Sequence, residues 1–180
     1  MKVVFLQKIH ICTMSYKIRI ILNAEEDVIR DIVIRKSVTL EDLHHMINKA
    51  FDFSGDEMAS FYRSDDDWSQ GEEFPLFDMS EGLDSKTPMQ DLSVEDVLKN
   101  KNDKLIYIYD FLNMWSFSVE VIDDHFRQQE PIVTNVLFAL GNIPKTAPVI
   151  QFESEDLSLD KFDDEEDDEI DEFDFDEYMN

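Results

Sequence analysis

The hydrophobic positions of this chain change period several times, and each change marks an element. Residues 16–22 and 28–35 are rich in β-branched side chains and flank a polar turn at 23–27, which predicts a β-hairpin. From Thr39 the period lengthens. Leu40, Leu43, Ile47, Ala50 and Phe51 recur at helical spacing behind TLED, a capping-box pattern with Asp42 at the third helical position. Residues 58–63 predict a short third strand. The stretch 64–88 is polar, acidic and irregular, with room for a strand at 74–77. A second capping pattern, SVED from Ser93, opens a short helix with Val94, Val97 and Leu98 on its apolar face.

The C-terminal half returns to period two. In 104–111, Ile106 and Ile108 point one way while Leu105, Tyr107, Tyr109 and Phe111 point the other, so the strand is predicted to be central and covered on both sides. In 115–122, Trp115, Phe117, Val119 and Val121 alternate with Ser116, Ser118 and Glu120, which places one face in solvent. Residues 132–140 add a last strand before Gly141. The predicted order is ββαβ–loop–αβββ. That is an α+β fold in which two helices cover one face of a mostly antiparallel sheet.

Composition narrows the picture without supplying a chemistry. A chain of 180 residues with 43% hydrophobic side chains and 14 Phe is expected to form one packed domain. The single Cys12 excludes an internal disulfide framework and any thiolate-rich zinc or iron–sulfur site. The net charge of −26 is uneven: residues 152–180 carry −15 and residues 56–84 carry −9, which leaves −2 for the rest. Outside the acidic stretch 56–84 and the tail 152–180 the chain is therefore near neutral, and the expected domain, 14–151, contains an acidic loop at 64–88. Charge of this sign opposes nonspecific approach to a phosphate backbone. Screening over roughly 8 Å still leaves room for a local basic patch.

The two ends read differently. The apolar run Val3–Leu6 stops at Gln7, short of the about 7–15 residues of a secretory core. No run approaches the ~18 apolar residues of a membrane span. The expectation is a cytoplasmic protein with no membrane partner, in which 1–13 is a mis-called leader before Met14. The tail, 152–180, repels itself and is expected to be disordered. Leu157, Leu159, Phe162, Ile170, Phe173, Phe175 and Tyr178 recur through it, an acidic–hydrophobic alternation typical of docking segments. Phe173, Phe175 and Tyr178 would anchor it on a partner protein with a basic or apolar groove. The plain alternative is a solubilising appendage.

Catalytic and metal patterns mostly fail on spacing. His44 and His45 diverge by about 100° on a helix and cannot chelate one ion together. Counted from Asp65, positions six and twelve of a calcium loop hold Gln70 and Leu76 instead of Gly and Glu. No G-x-S-x-G elbow or glycine-rich phosphate loop is present, and no metal or cofactor is expected. His125-Phe126-Arg127 has the wrong spacing for a tyrosine recombinase. Asp110 ends the central strand beside Tyr109 and near Trp115. It reads either as a carboxylate at a pocket shared with His44 and Trp115, or as the cap of the following turn. His44 reads likewise as a half-buried histidine bonded to the sheet.

The segments I-x-R-x-I, TLEDLHHMINKAF, LSVEDVL and DKLIYIYDFLNMWSFSVEV occur in the order and spacing of a known family. The chain resembles the plasmid pRiA4b ORF-three-like family from about Tyr16 to Ile122. Its SDDDW run and acidic aromatic tail look like a subgroup from Bacteroides-type bacteria. The resemblance implies no established activity, although some members are labelled as mobile-element passengers. This chain departs from the family at Ile29, Glu57, Ala59, Leu112, Asn113 and Phe117. Of a polar site in the family it would keep His44, Asp110 and Trp115.

Three functional readings follow. The first is a non-enzymatic protein-interaction or regulatory module using the acidic aromatic tail. The second is a nucleic-acid-associated factor that its tail autoinhibits, with Lys17, Arg19, Arg30, Arg35 and Lys36 as the basic surface. The third is a small hydrolase using Asp110 and His44.

Overall fold

The computed structural model describes residues 12–79, 85–129 and 136–148. The chain divides into two units, 1–150 and 151–180, and the second lies outside the described residues, Phe173, Phe175 and Tyr178 included. The first unit runs β1 (Cys12–Leu22), β2 (Val28–Arg35), α1 (Leu40–Ala50), β3 (Ala59–Ser64) and β4 (Gln70–Pro75). A single 3₁₀ turn follows at Met89–Asp91, then α2 (Val94–Val97), β5 (Lys104–Tyr109), β6 (Trp115–Gln129) and β7 (Val136–Leu140). The seven strands form one sheet in the order β4-β3-β5-β6-β1-β2-β7, and every pairing is antiparallel.

This architecture corrects the expected fold in three places. The predicted acidic loop contains β4, so the order is ββαββαβββ. β4 is an edge strand, QGEEFP, whose first residues face solvent and whose buried residues are Phe74 and Pro75; a strand buried only at one end shows no alternation. The expected pair of covering helices also reduces to one, because α2 is a single four-residue turn. Finally, β1 and β6 reach past their predicted ends and pair from Leu22↔Phe117 to Cys12↔Gln129. The added half of β6, residues 123–129, is polar apart from Phe126 and so carries no apolar period two.

α1 forms where its sequence demands it. Thr39 Oγ1 accepts from the Asp42 N–H at 3.1 Å, and Asp42 Oδ2 accepts from the Thr39 N–H at 3.0 Å. These bonds satisfy two of the open N–H groups at the helix start. Thr39→Ala is expected to cost about 1 kcal/mol of stability, measured as a lower urea midpoint at unchanged slope. The buried stripe of α1 is Leu40, Leu43, His44, Ile47 and Asn48, so two polar residues enter the core with three aliphatic ones. They pack over Ile18, Ile20 and Leu22 of β1, Ile32 and Ile34 of β2, and the Phe61, Tyr107 and Phe117 rings.

The opposite face of the sheet carries an ion cluster. Asp31 on β2, 2% exposed, accepts from Arg19 Nε at 2.8 Å and Nη2 at 3.0 Å, and Lys17 Nζ lies at 3.2 Å. Burial pulls the Asp31 carboxyl upward, but its bonds to Arg19 and Lys17 win and hold it below the usual range. No helix among the described residues is long and apolar enough to cross a membrane.

Candidate functional site

Three turns at one end of the molecule enclose a groove of about 670 Å³. The first leaves α1 through Asp52, at φ 53°, and Gly55, at φ 81°. The second joins β5 to β6 and holds Asp110 and Met114 at φ 57° and 58°, and the third follows β7 at Gly141, φ 74°. Left-handed residues that are not glycine carry a local cost and cluster where a structure holds a special shape. Here they let three chain ends turn sharply around a common space.

Aromatic rings line that space. Phe53 lies 5.1 Å from the Tyr109 ring and 4.9 Å from the Trp115 ring, centre to centre. The Tyr109 hydroxyl accepts from the Gly55 N–H at 3.1 Å, which locks the first turn to β5. Arg30 of β2 points in from the side. Its Nε donates to the Ala50 carbonyl at the end of α1, and its Nη1 donates to the Ile29 and Leu140 carbonyls at 2.8 and 2.7 Å. The guanidinium also lies 5.1 Å from the Phe51 ring centre. Arg30 thus ties the end of β7 to the helix, and carbonyl oxygens take up its charge.

Asp110 and Trp115 both line the groove. The carboxylate of Asp110 is engaged by its own turn. Its Oδ1 accepts from the Leu112 and Asn113 N–H groups at 3.1 and 3.2 Å, and its Oδ2 from Asn113 Nδ2 at 2.6 Å. The Asn113 amide, with those backbone N–H groups, holds the carboxyl below its ordinary range. These three bonds make it the cap of the β5–β6 turn, as one of the two sequence readings has it.

His44 lies elsewhere, fully buried rather than half-buried, in the core between α1 and β5. Its Nε2 is 3.0 Å from Asn48 Nδ2 and its Nδ1 is 2.7 Å from the Tyr107 hydroxyl, which donates to Asn48 Oδ1 at 3.2 Å. An amide nitrogen only donates, so Nε2 must accept and Nδ1 must carry the proton. Each of the three side chains then gives one bond and takes one. Burial, with the neighbouring His45 charge adding to it, pulls the imidazole down to about 4. Among the described residues no hydrogen bond joins His44 to Asp110, so the three sequence candidates do not form one site. Among the described residues, no three His, Cys, Asp or Glu side chains gather to hold a metal ion.

Four of the five cations proposed as a basic surface divide between sites. Arg30 faces the groove, Lys17 and Arg19 face the other side with Asp31, and Lys36 Nζ lies 4.4 Å over the Tyr16 ring. Sequence reasoning missed Asn48, Phe53 and Lys145. Asn48 stands four residues after His44 on the buried stripe, a spacing that could have suggested the pair. Nothing local links Phe53 or Lys145 to Asp110.

The sequence matches the family described as plasmid pRiA4b ORF-3-like protein over residues 14–145. The chain belongs to this family. The matched span covers β1 from Met14 onward, the other six strands and every residue of the groove. A crystal structure of a protein of unknown function from Methanosarcina mazei Go1 is similar in fold. Its TM-score is 0.56 at 18% identity, over 69% of this chain and 68% of that one. No curated protein matches the sequence.

Proposed function

We propose that this chain is a non-enzymatic, cytoplasmic protein-interaction module that offers a sheet edge and the adjoining groove to a partner, with the acidic aromatic tail adding contacts. The observation that carries this reading is the contrast between the two edges of the sheet. β4 is guarded by Glu72, Glu73, Pro75 and a break in register, the usual devices against unwanted strand pairing. β7, VLFAL, has none of these charges or prolines, and Leu137, Phe138 and Leu140 are 43%, 44% and 46% exposed. A hydrophobic open edge is a template for another strand. The engagement of His44 and Asp110 in separate internal networks supports the absence of acid–base catalysis.

The acids of the tail would steer a basic partner and raise its association rate, while Phe173, Phe175 and Tyr178 would anchor it. Capture experiments with the full-length chain test this. Alanine at all three tail positions is expected to abolish partner retention. A partner retained equally by that variant removes the tail from the reading. Failure of the full-length chain to retain any protein overturns the reading as a whole.

A further inference from the structure

We propose that the outer edge of β7 at 137–140, which pairs with no strand among the described residues, receives an extended segment of a partner protein in which aliphatic residues alternate with Lys or Arg. This rests on the interaction reading above and specifies the chemistry of the partner. Side chains of an added strand would point alternately to the two faces of the sheet, because the period of a strand is two.

The two faces at β7 ask for different residues. On the face away from the helix, the pairing Ile21↔Ile29↔Leu140 makes an apolar row, with Phe138 beside it opposite Asp31. Aliphatic side chains of an added strand would extend that row and cover Phe138 and Leu140. On the other face Ala139 pairs with Arg30, which leads into the groove. The exposed charges of the groove and of the adjoining β1–β2 turn are mostly acidic. Asp52 and Glu57 stand on the groove wall, and Glu25, Glu26 and Asp27 stand on the β1–β2 turn, whose Asp27 carbonyl abuts Gly141. Arg30 is bonded to carbonyls, so Lys145 is the exposed cation among the groove residues. Cationic side chains therefore suit this face, and the net charge of −26 favours the approach of a basic segment. A second copy fits poorly, since β7 itself supplies no cation and both copies carry the same charge.

The test uses the intact chain with Trp68→Phe, which leaves Trp115, on the groove wall, as the sole tryptophan. The probe is a blocked synthetic peptide of about eight residues, enough to span an edge strand, alternating lysine with valine. Its control alternates glutamate with valine. The lysine peptide is expected to give a saturable change in Trp115 emission and to bind at least about tenfold more tightly than the control. Raising salt from about 50 to about 500 mM should weaken it several-fold. The exposed-edge double variant Phe138→Lys with Leu140→Lys should weaken it about tenfold or more while its circular dichroism stays unchanged.

Equal binding of the two peptides, no binding of either, or binding indifferent to the double variant would overturn the proposal. So would a dimer that the double variant dissolves, which would give the edge to a second copy. If the peptides fail while protein capture remains sensitive to the β7 variant, the interaction reading stands and the partner chemistry falls. If capture fails too, both fall.

Discussion

His44→Ala is expected to lower the unfolding free energy by about 4 kcal/mol, the sum of a cavity and two broken hydrogen bonds in the core. His44 and Tyr107 are fully buried and Asn48 nearly so. Removing the imidazole leaves the Tyr107 hydroxyl without its donor and the Asn48 amide without its acceptor. Urea denaturation of the intact chain measures the loss. A cost under about 1 kcal/mol would show that the three side chains do not act as one network.

The same residue sets a pH dependence with a definite sign. The folded imidazole is held near 4, against an ordinary value of 6.5, because burial opposes its charge. Below 6.5 the unfolded chain takes up a proton that the folded chain refuses until about 4. Stability is therefore fully present above 6.5 and falls as pH drops through that window, by about 3 kcal/mol in total. Asp31 and Glu73, whose carboxyls lie below the ordinary range despite the upward pull of burial, lose their contributions only at lower pH. The His44→Ala variant should thus show a flattened slope between pH 6.5 and 4. An unchanged slope would assign the acid sensitivity to other groups.

Gly141→Ala should damage β7 and the groove together. A Cβ at Gly141 would stand 2.1 Å from the Asp27 carbonyl oxygen and 3.1 Å from Val28 Cα, both backbone atoms that no rotamer change can move. Its φ of +74° adds the ordinary left-handed penalty for a residue with a side chain. Together these predict a loss of about 3 kcal/mol. The strain falls on the residue after β7, whose Leu140 carbonyl is held by Arg30, so β7 should lift from β2 before the rest unfolds. Hydrogen exchange checks this: amide protection should fall first in residues 136–140. Gly71→Ala, whose Cβ meets its nearest atom at 3.1 Å, is the milder control. Equal exchange in β7 for wild type and Gly141→Ala would refute the close-packing argument.

The family domain was legible in the chain because several of its elements are set by neighbours in sequence. TLED caps α1 through bonds spanning three residues, and the β-branched runs around residues 23–27 pair across their own turn. The apolar stripe of α1 and the doubly apolar β5 likewise report burial through spacing alone. The identity of the neighbours remains hidden in such patterns. Only the end of β4 was legible, as the suggested strand at 74–77, because this edge strand buries too few of its other residues, and the polar half of β6 is a strand only because β1 runs beside it.

The candidate site divides in the same way. The sequence by itself determined the cap of α1, the first hairpin, the charge of each segment and the presence of His44, Asp110 and Trp115 as unusual residues. Only the tertiary structure decided that His44 joins Asn48 and Tyr107 in the core, while Asp110 and Trp115 share a groove with Arg30, Phe53 and Lys145. The reason is the range of the forces. Capping and periodicity act over a few residues, whereas the groove joins positions 30 to 145 through a sheet whose strand order no local pattern encodes.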